Sequence, residues 1–78
     1  MSSSIYDAKY KALRIALIGV RKAAGLTQIQ MAEKLSVGQS YISKIERGES
    51  YIDILVWVNW CKACSTSPGQ LLDTVIDR

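Results

Sequence analysis

Only three residues, Ser36-Val37-Gly38, separate one helical periodicity from the next, and this break constrains the fold more than any other feature of the chain. Before it, Thr27 is a sound N-cap, and the segment Gln28 to Leu35 sets Ile29, Ala32 and Leu35 on one face with Met31 close by. After it, Gln39 to Arg47 turns Ile42 and Ile45 inward and leaves Gln39, Ser40, Ser43 and Lys44 facing out; Gly48 closes the segment. The chain is thus expected to fold around a pair of short helices held at a tight turn.

Three further helices fit the remaining sequence. The first is expected from about Asp7 to Ala24, with Leu13, Leu17, Val20 and Ala24 on one face and Lys11, Arg14, Arg21 and Lys22 largely elsewhere. Gly25 suits the left-handed position past its end, and Gly19 inside it is a local cost of about 1 kcal/mol against alanine. Asp53 caps a fourth helix from about Ile54 to Ala63. Ser67 caps a fifth that opens at Pro68, where a missing N–H is no loss, and Leu71, Leu72, Val75 and Ile76 form its apolar stripe. Seventy-eight residues with 49% apolar content suffice for one folded all-α domain, 1–78. A chain this small buries only roughly 60% of its unfolded surface, so a partner subunit would add needed stability.

Composition removes several function classes. The chain has no histidine, and so lacks the commonest general base and the commonest metal ligand. Cys61 and Cys64 form a C-x-x-C in a helical context; a structural zinc site needs four ligands, and no second pair exists. The pair reads as two small buried apolar residues, with a thiol redox sensor as the rival reading. No nucleophile–base pair can be assembled, so no enzyme, catalytic residue, metal or cofactor is expected. The most apolar run, Ile52 to Trp60, is far too short to span a bilayer, and no export signal follows Met1-Ser2-Ser3-Ser4. A cytoplasmic protein without a membrane partner is expected. A net charge of +3 is compatible with nucleic acid but does not establish it.

Two short helices joined by a three-residue turn are the helix-turn-helix geometry of DNA readers, in which the second helix enters a major groove about 12 Å wide. The motifs Gly25-Leu26-Thr27-Gln28, Met31-Ala32-Glu33-Lys34-Leu35 and Gln39-Ser40-Tyr41-Ile42-Ser43-Lys44-Ile45-Glu46-Arg47-Gly48 resemble the Cro/phage-repressor (Xre) family. The resemblance runs from about Leu13 to Leu72 and is most specific over Tyr41 to Gly48. It implies a compact five-helix, lambda-repressor-like domain that binds double-stranded DNA as a homodimer, in a bacterial or phage regulator of repressor or controller type. By the same resemblance Gln28 touches a phosphate, Gln39 and Ser40 reach base edges and the adjacent phosphate, and Lys44 enters the groove. Tyr41 and Ser43 contact backbone or groove edge, and Arg47 with the Gly48-Glu49-Ser50 loop lies along the phosphates. Arg21 and Glu46 are paired as an ion pair behind the recognition helix.

The chain departs from the family pattern in three places. Ser36 stands where the turn has glycine, and Gly38 where it has a Ser, Thr or Asn cap. Tyr51-Ile52 replaces common phosphate-binding basic residues. The fourth helix, with Val56, Trp57, Val58 and Trp60, carries more apolar residues than one helix of a small monomer needs, and Ile15 and Ile18 add to the excess on the first. This surplus suggests a dimer surface over 54–76, especially from Trp57 to Ile76. It also fits a rival role as an antitoxin or other protein-interaction module that keeps the fold and binds a protein partner. With no room for a ligand-sensing domain, regulation is expected from protein concentration or from such a partner.

Overall fold

Side chains set the start of most helices in this protein, and backbone conformation sets where they stop. The structure, a computed structural model, describes residues 8–76. It contains α1 (Ala8–Ala23), α2 (Gln28–Leu35), α3 (Gln39–Arg47), α4 (Ile54–Ala63) and α5 (Pro68–Ile76). These helices are the only regular elements among the described residues, as expected for an all-α fold. The bounds read from sequence hold for α2, α3 and α4. Helix α1 stops one residue early, leaving Ala24 exposed in the turn, and its expected first residue, Asp7, lies outside the described residues.

The first four helices end in one and the same motif. Gly25, Ser36, Gly48 and Ser65 all take the left-handed conformation, with φ of 76°, 57°, 80° and 55°. In each case that residue and the next donate their N–H groups back to two orphan carbonyls of the last turn. At α2, Ser36 bonds Glu33 and Val37 bonds Ala32; at α3, Gly48 bonds Ile45 and Glu49 bonds Lys44. Two of these positions are serine, which pays a steric cost there that glycine does not.

The starts are less uniform. Thr27 and Gln30 form a reciprocal capping box on α2: Thr27 Oγ1 accepts from the Gln30 N–H at 3.1 Å, and Gln30 Oε1 accepts from the Thr27 N–H at 2.9 Å. Asp53 Oδ1 accepts from the Val56 N–H at 2.9 Å, and Ser67 Oγ from the Gln70 N–H at 3.3 Å. Helix α3 has only Gly38 at this place and no side-chain cap.

The core is drawn from every helix: Leu17 of α1, Met31 and Ala32 of α2, Ile42 and Ile45 of α3, Trp57, Trp60 and Cys61 of α4, and Val75 of α5. Both tryptophans are inside, with their indole N–H groups donating to Leu17 O (from Trp60, 2.9 Å) and Pro68 O (from Trp57, 2.9 Å). They therefore join α4 to α1 and to the start of α5 and are not part of an outer surface, correcting their reading as dimer residues. Ile29, expected on the inner face of α2, is 62% exposed, and Met31, Ala32 and half-buried Leu35 take that face instead. Arg21, off the apolar face of α1 and expected to pair with Glu46, is buried. Ile76 lies at the exposed edge of the α5 stripe, whereas Val75 is buried and Leu71 and Leu72 are half-buried. Both cysteines are free and buried. Burial pushes the Cys61 thiol up to about 11, and it raises Cys64 as well, so the C-x-x-C presents neutral thiols packed in the core.

Candidate nucleic-acid interface

Helix α3 turns Ile42 and Ile45 into the core, which leaves Gln39, Ser40 and Lys44 exposed on its other side. Beneath it lies the ion pair that fixes its position. Arg21 Nε donates to Glu46 Oε2 at 2.5 Å and Arg21 Nη2 to Glu46 Oε1 at 3.0 Å, with the two side chains only 9% and 8% exposed. The remaining arginine nitrogen, Nη1, donates to Leu26 O at 2.7 Å, in the turn that leads into α2. One guanidinium on α1 thus holds both the entry to α2 and the end of α3. The fork geometry makes this possible, because arginine offers five donors in a rigid plane.

From Glu46 the network continues outward. Gln28 Nε2 donates to Glu46 Oε1 at 2.9 Å, and Gln39 Nε2 donates to Gln28 Oε1 at 2.7 Å. Gln28 opens α2 and Gln39 opens α3, so the amide pair fastens the two N-termini across the tight turn. An amide nitrogen carries two hydrogens, so Gln39 keeps one donor and its carbonyl oxygen for a ligand. The structure therefore brings Gln28 and Gln39 together and joins them to the buried ion pair.

A second cluster forms at the far end of α3. Arg47 Nη1 donates to Ser43 Oγ, while Nε and Nη2 donate to the two carboxylate oxygens of Glu49 at 2.9 and 3.0 Å. Tyr41 is apart from both clusters: it is half-buried and lines a groove of about 500 Å³ together with Leu35, Val37, Leu55 and Val56.

The loop after α3 is held from behind by α1. Gly48 is buried against the Arg14 guanidinium, and a Cβ on Gly48 would lie 2.6 Å from Arg14 Nη1. That nitrogen is itself buried and without a hydrogen-bond partner, so it contributes its charge next to the negative end of the α3 dipole. The Ile52 N–H donates to the Tyr10 hydroxyl, and the rings of Tyr10 and Tyr51 meet edge to face at 5.8 Å. Where the family pattern has basic residues, Tyr51 and Ile52 anchor the loop to α1. Neither Arg14 nor Tyr10 was legible as a site residue, because their contacts cross between distant helices. The Thr27-x-x-Gln30 capping box, by contrast, stands in the sequence as a local signal.

Among the described residues there is no group of His, Cys, Asp and Glu able to hold a metal ion, and no helix long and apolar enough to cross a membrane. No curated protein matches the chain. A family model described as helix-turn-helix matches residues 19–71. Among solved structures, the chain is similar to an XRE-family like protein from Pseudomonas syringae pv. tomato str. DC3000, at 36% identity and a TM-score of 0.87, over 94% of this chain and 89% of that one. With the turn, the caps and the ion pair in place, the chain belongs to the Xre-type helix-turn-helix family.

Proposed function

We propose that this protein is a sequence-specific double-stranded DNA-binding regulator of repressor or controller type, reading a near-palindromic operator as a cytoplasmic homodimer. The observation that carries the reading is the chain of hydrogen bonds from Arg21 through Glu46 and Gln28 to Gln39. It orders a polar side chain at the exposed N-terminus of α3 before any ligand arrives, which lowers the entropy cost of binding. A solvated helix face has no need of such support.

Residue roles follow from donor and acceptor chemistry. Gln39 can pair bidentately with adenine in the major groove, and Lys44 favours the guanine acceptors. Ser40 reaches the base edge or the neighbouring phosphate. Gln28, at the N-terminus of α2, offers its backbone N–H to a phosphate. Arg47 lies along the phosphates with Ser43, and Tyr41 meets the groove edge. Helix α3 has nine residues, about 13 Å of helix, and so spans only a few base pairs. Two copies with their recognition helices about 34 Å apart would read a longer, two-fold symmetric site.

Fluorescence anisotropy on a mixed-sequence duplex tests the binding itself. Affinity is expected to fall steeply as salt rises, because each neutralised phosphate contributes about −0.9 to the logarithmic slope. Weak binding that ignores salt would contradict the reading.

A second reading, the antitoxin or protein-interaction module, draws on one observation: Tyr51, Ile54 and Leu55 are each about two-thirds exposed and lie within five residues of sequence. Co-purification of a second small protein bound at that patch would favour it.

A further inference from the structure

Each of the three guanidinium nitrogens of Arg47 donates to a group of its own chain, using three of the five N–H donors. Ser43 takes Nη1, and Glu49 takes Nε and Nη2 through both carboxylate oxygens. This two-point contact is the geometry by which arginine grips a phosphate. Three features make it a local device. Gly48 in the left-handed conformation reverses the chain, bringing Glu49 back beside the last turn of α3. The Glu49 N–H is fixed on Lys44 O at 2.8 Å. The pair also lies at the surface, with each side chain 55% exposed, where a competing anion can reach it. The Arg47 guanidinium beside Glu49 holds the carboxyl below the usual carboxylate range, so it is charged at neutral pH.

We propose that Glu49 occupies in cis the phosphate position on the Nε–Nη2 edge of Arg47, so that DNA must displace this carboxylate to gain that two-point grip. The inference rests on the DNA-binding reading and adds to it a residue that sets affinity. Exposed ion pairs are weak, so the exchange is feasible. Its effect is to subtract one phosphate contact from the sequence-blind part of binding, which rests almost wholly on such contacts. Base contacts by Gln39 and Lys44 are untouched, so Glu49 raises the weight of sequence in the total.

The test compares wild type, Glu49→Gln, Arg47→Met and the double variant on a mixed-sequence duplex of about 30 base pairs, across a salt series. Matched thermal melts establish that all four proteins are folded. Glu49→Gln is expected to bind several-fold more tightly than wild type, with the salt slope steeper by about one unit. In the Arg47→Met background the same change is expected to gain less than about twofold, the remainder being through-space repulsion. Equal gains in both backgrounds would overturn the proposal, showing that Glu49 acts by net charge alone. Wild-type binding with no gain from Glu49→Gln would overturn it too, while leaving the DNA-binding reading intact. If none of the four proteins bound the duplex, both would fall.

Discussion

Single positions in this chain carry backbone costs that the fold tolerates without using. Gly19 lies in the exposed middle of α1, and a Cβ there would meet nothing within 4 Å. Glycine inside a helix costs about 1 kcal/mol relative to alanine, through the extra freedom of the unfolded chain. Gly19→Ala is therefore expected to raise the melting temperature by about 4–8 °C. Differential scanning calorimetry showing no rise would mean that the glycine serves a contact this structure lacks. Gly48 is the opposite case: its left-handed φ and the Arg14 guanidinium against it both disfavour a side chain. Composition alone cannot separate the two glycines. Gly48 was legible as a stop signal, but the role of Arg14 above it was not, because thirty-odd residues of chain separate them.

At the scale of helices, α3 is held less by its own propensity than by what lies under it. It lacks a side-chain cap, yet the Arg21–Glu46 pair ties it to α1, and Gln28 ties its N-terminus to α2. Removing one partner of a buried ion pair leaves the other uncompensated, at a typical cost of about 3–5 kcal/mol. Arg21 would keep its bond to Leu26 O, which places Glu46→Ala near the lower end, about 3 kcal/mol. A urea melt should show this as a lowered midpoint at unchanged slope. DNA affinity should fall as well, since Gln28 and Gln39 lose their anchor. An unchanged midpoint would mean that the pair does not hold the helix.

The helices themselves were largely legible because caps, glycines and apolar spacing agree at their ends: Thr27, Asp53, Ser67, Gly25 and Gly48 all act as read. The phase of α2 was not. Eight residues give a periodicity too few points, and a face through Ile29 fits nearly as well as one through Met31; the choice is made by packing against α3 and α4. The Arg47–Glu49 contact was also invisible. Its partners are two residues apart across a left-handed turn, where helix pairing rules do not reach. Arg21–Glu46 came from family resemblance and not from any local pattern.

For the whole molecule, the question is what covers the start of α4. With Trp57 and Trp60 in the core, the exposed apolar residues at the start of α4 are Ile54 and Leu55, 66% and 67% exposed, with Tyr51 before them, while Ile15 of α1 also stays exposed. A two-fold contact there would join protomers without disturbing either core. Leu55→Asp is suited to test it, because an acidic residue in the first turn of a helix favours that helix while opposing an apolar contact. Sedimentation at tens of micromolar is expected to give a dimer for wild type and a folded monomer for the variant, with weaker operator binding. A monomeric wild type at that concentration would remove the homodimer from the proposed function.

The most direct measurement is selection of bound sites from a random duplex DNA pool. The expected result is a two-fold symmetric consensus whose half-sites lie about one helical turn apart. One position in each half-site should relax, at a cost of about 1–3 kcal/mol, when Gln39 or Lys44 is replaced. A pool that yields no consensus, or one indifferent to Gln39 and Lys44, would contradict sequence-specific reading by α3.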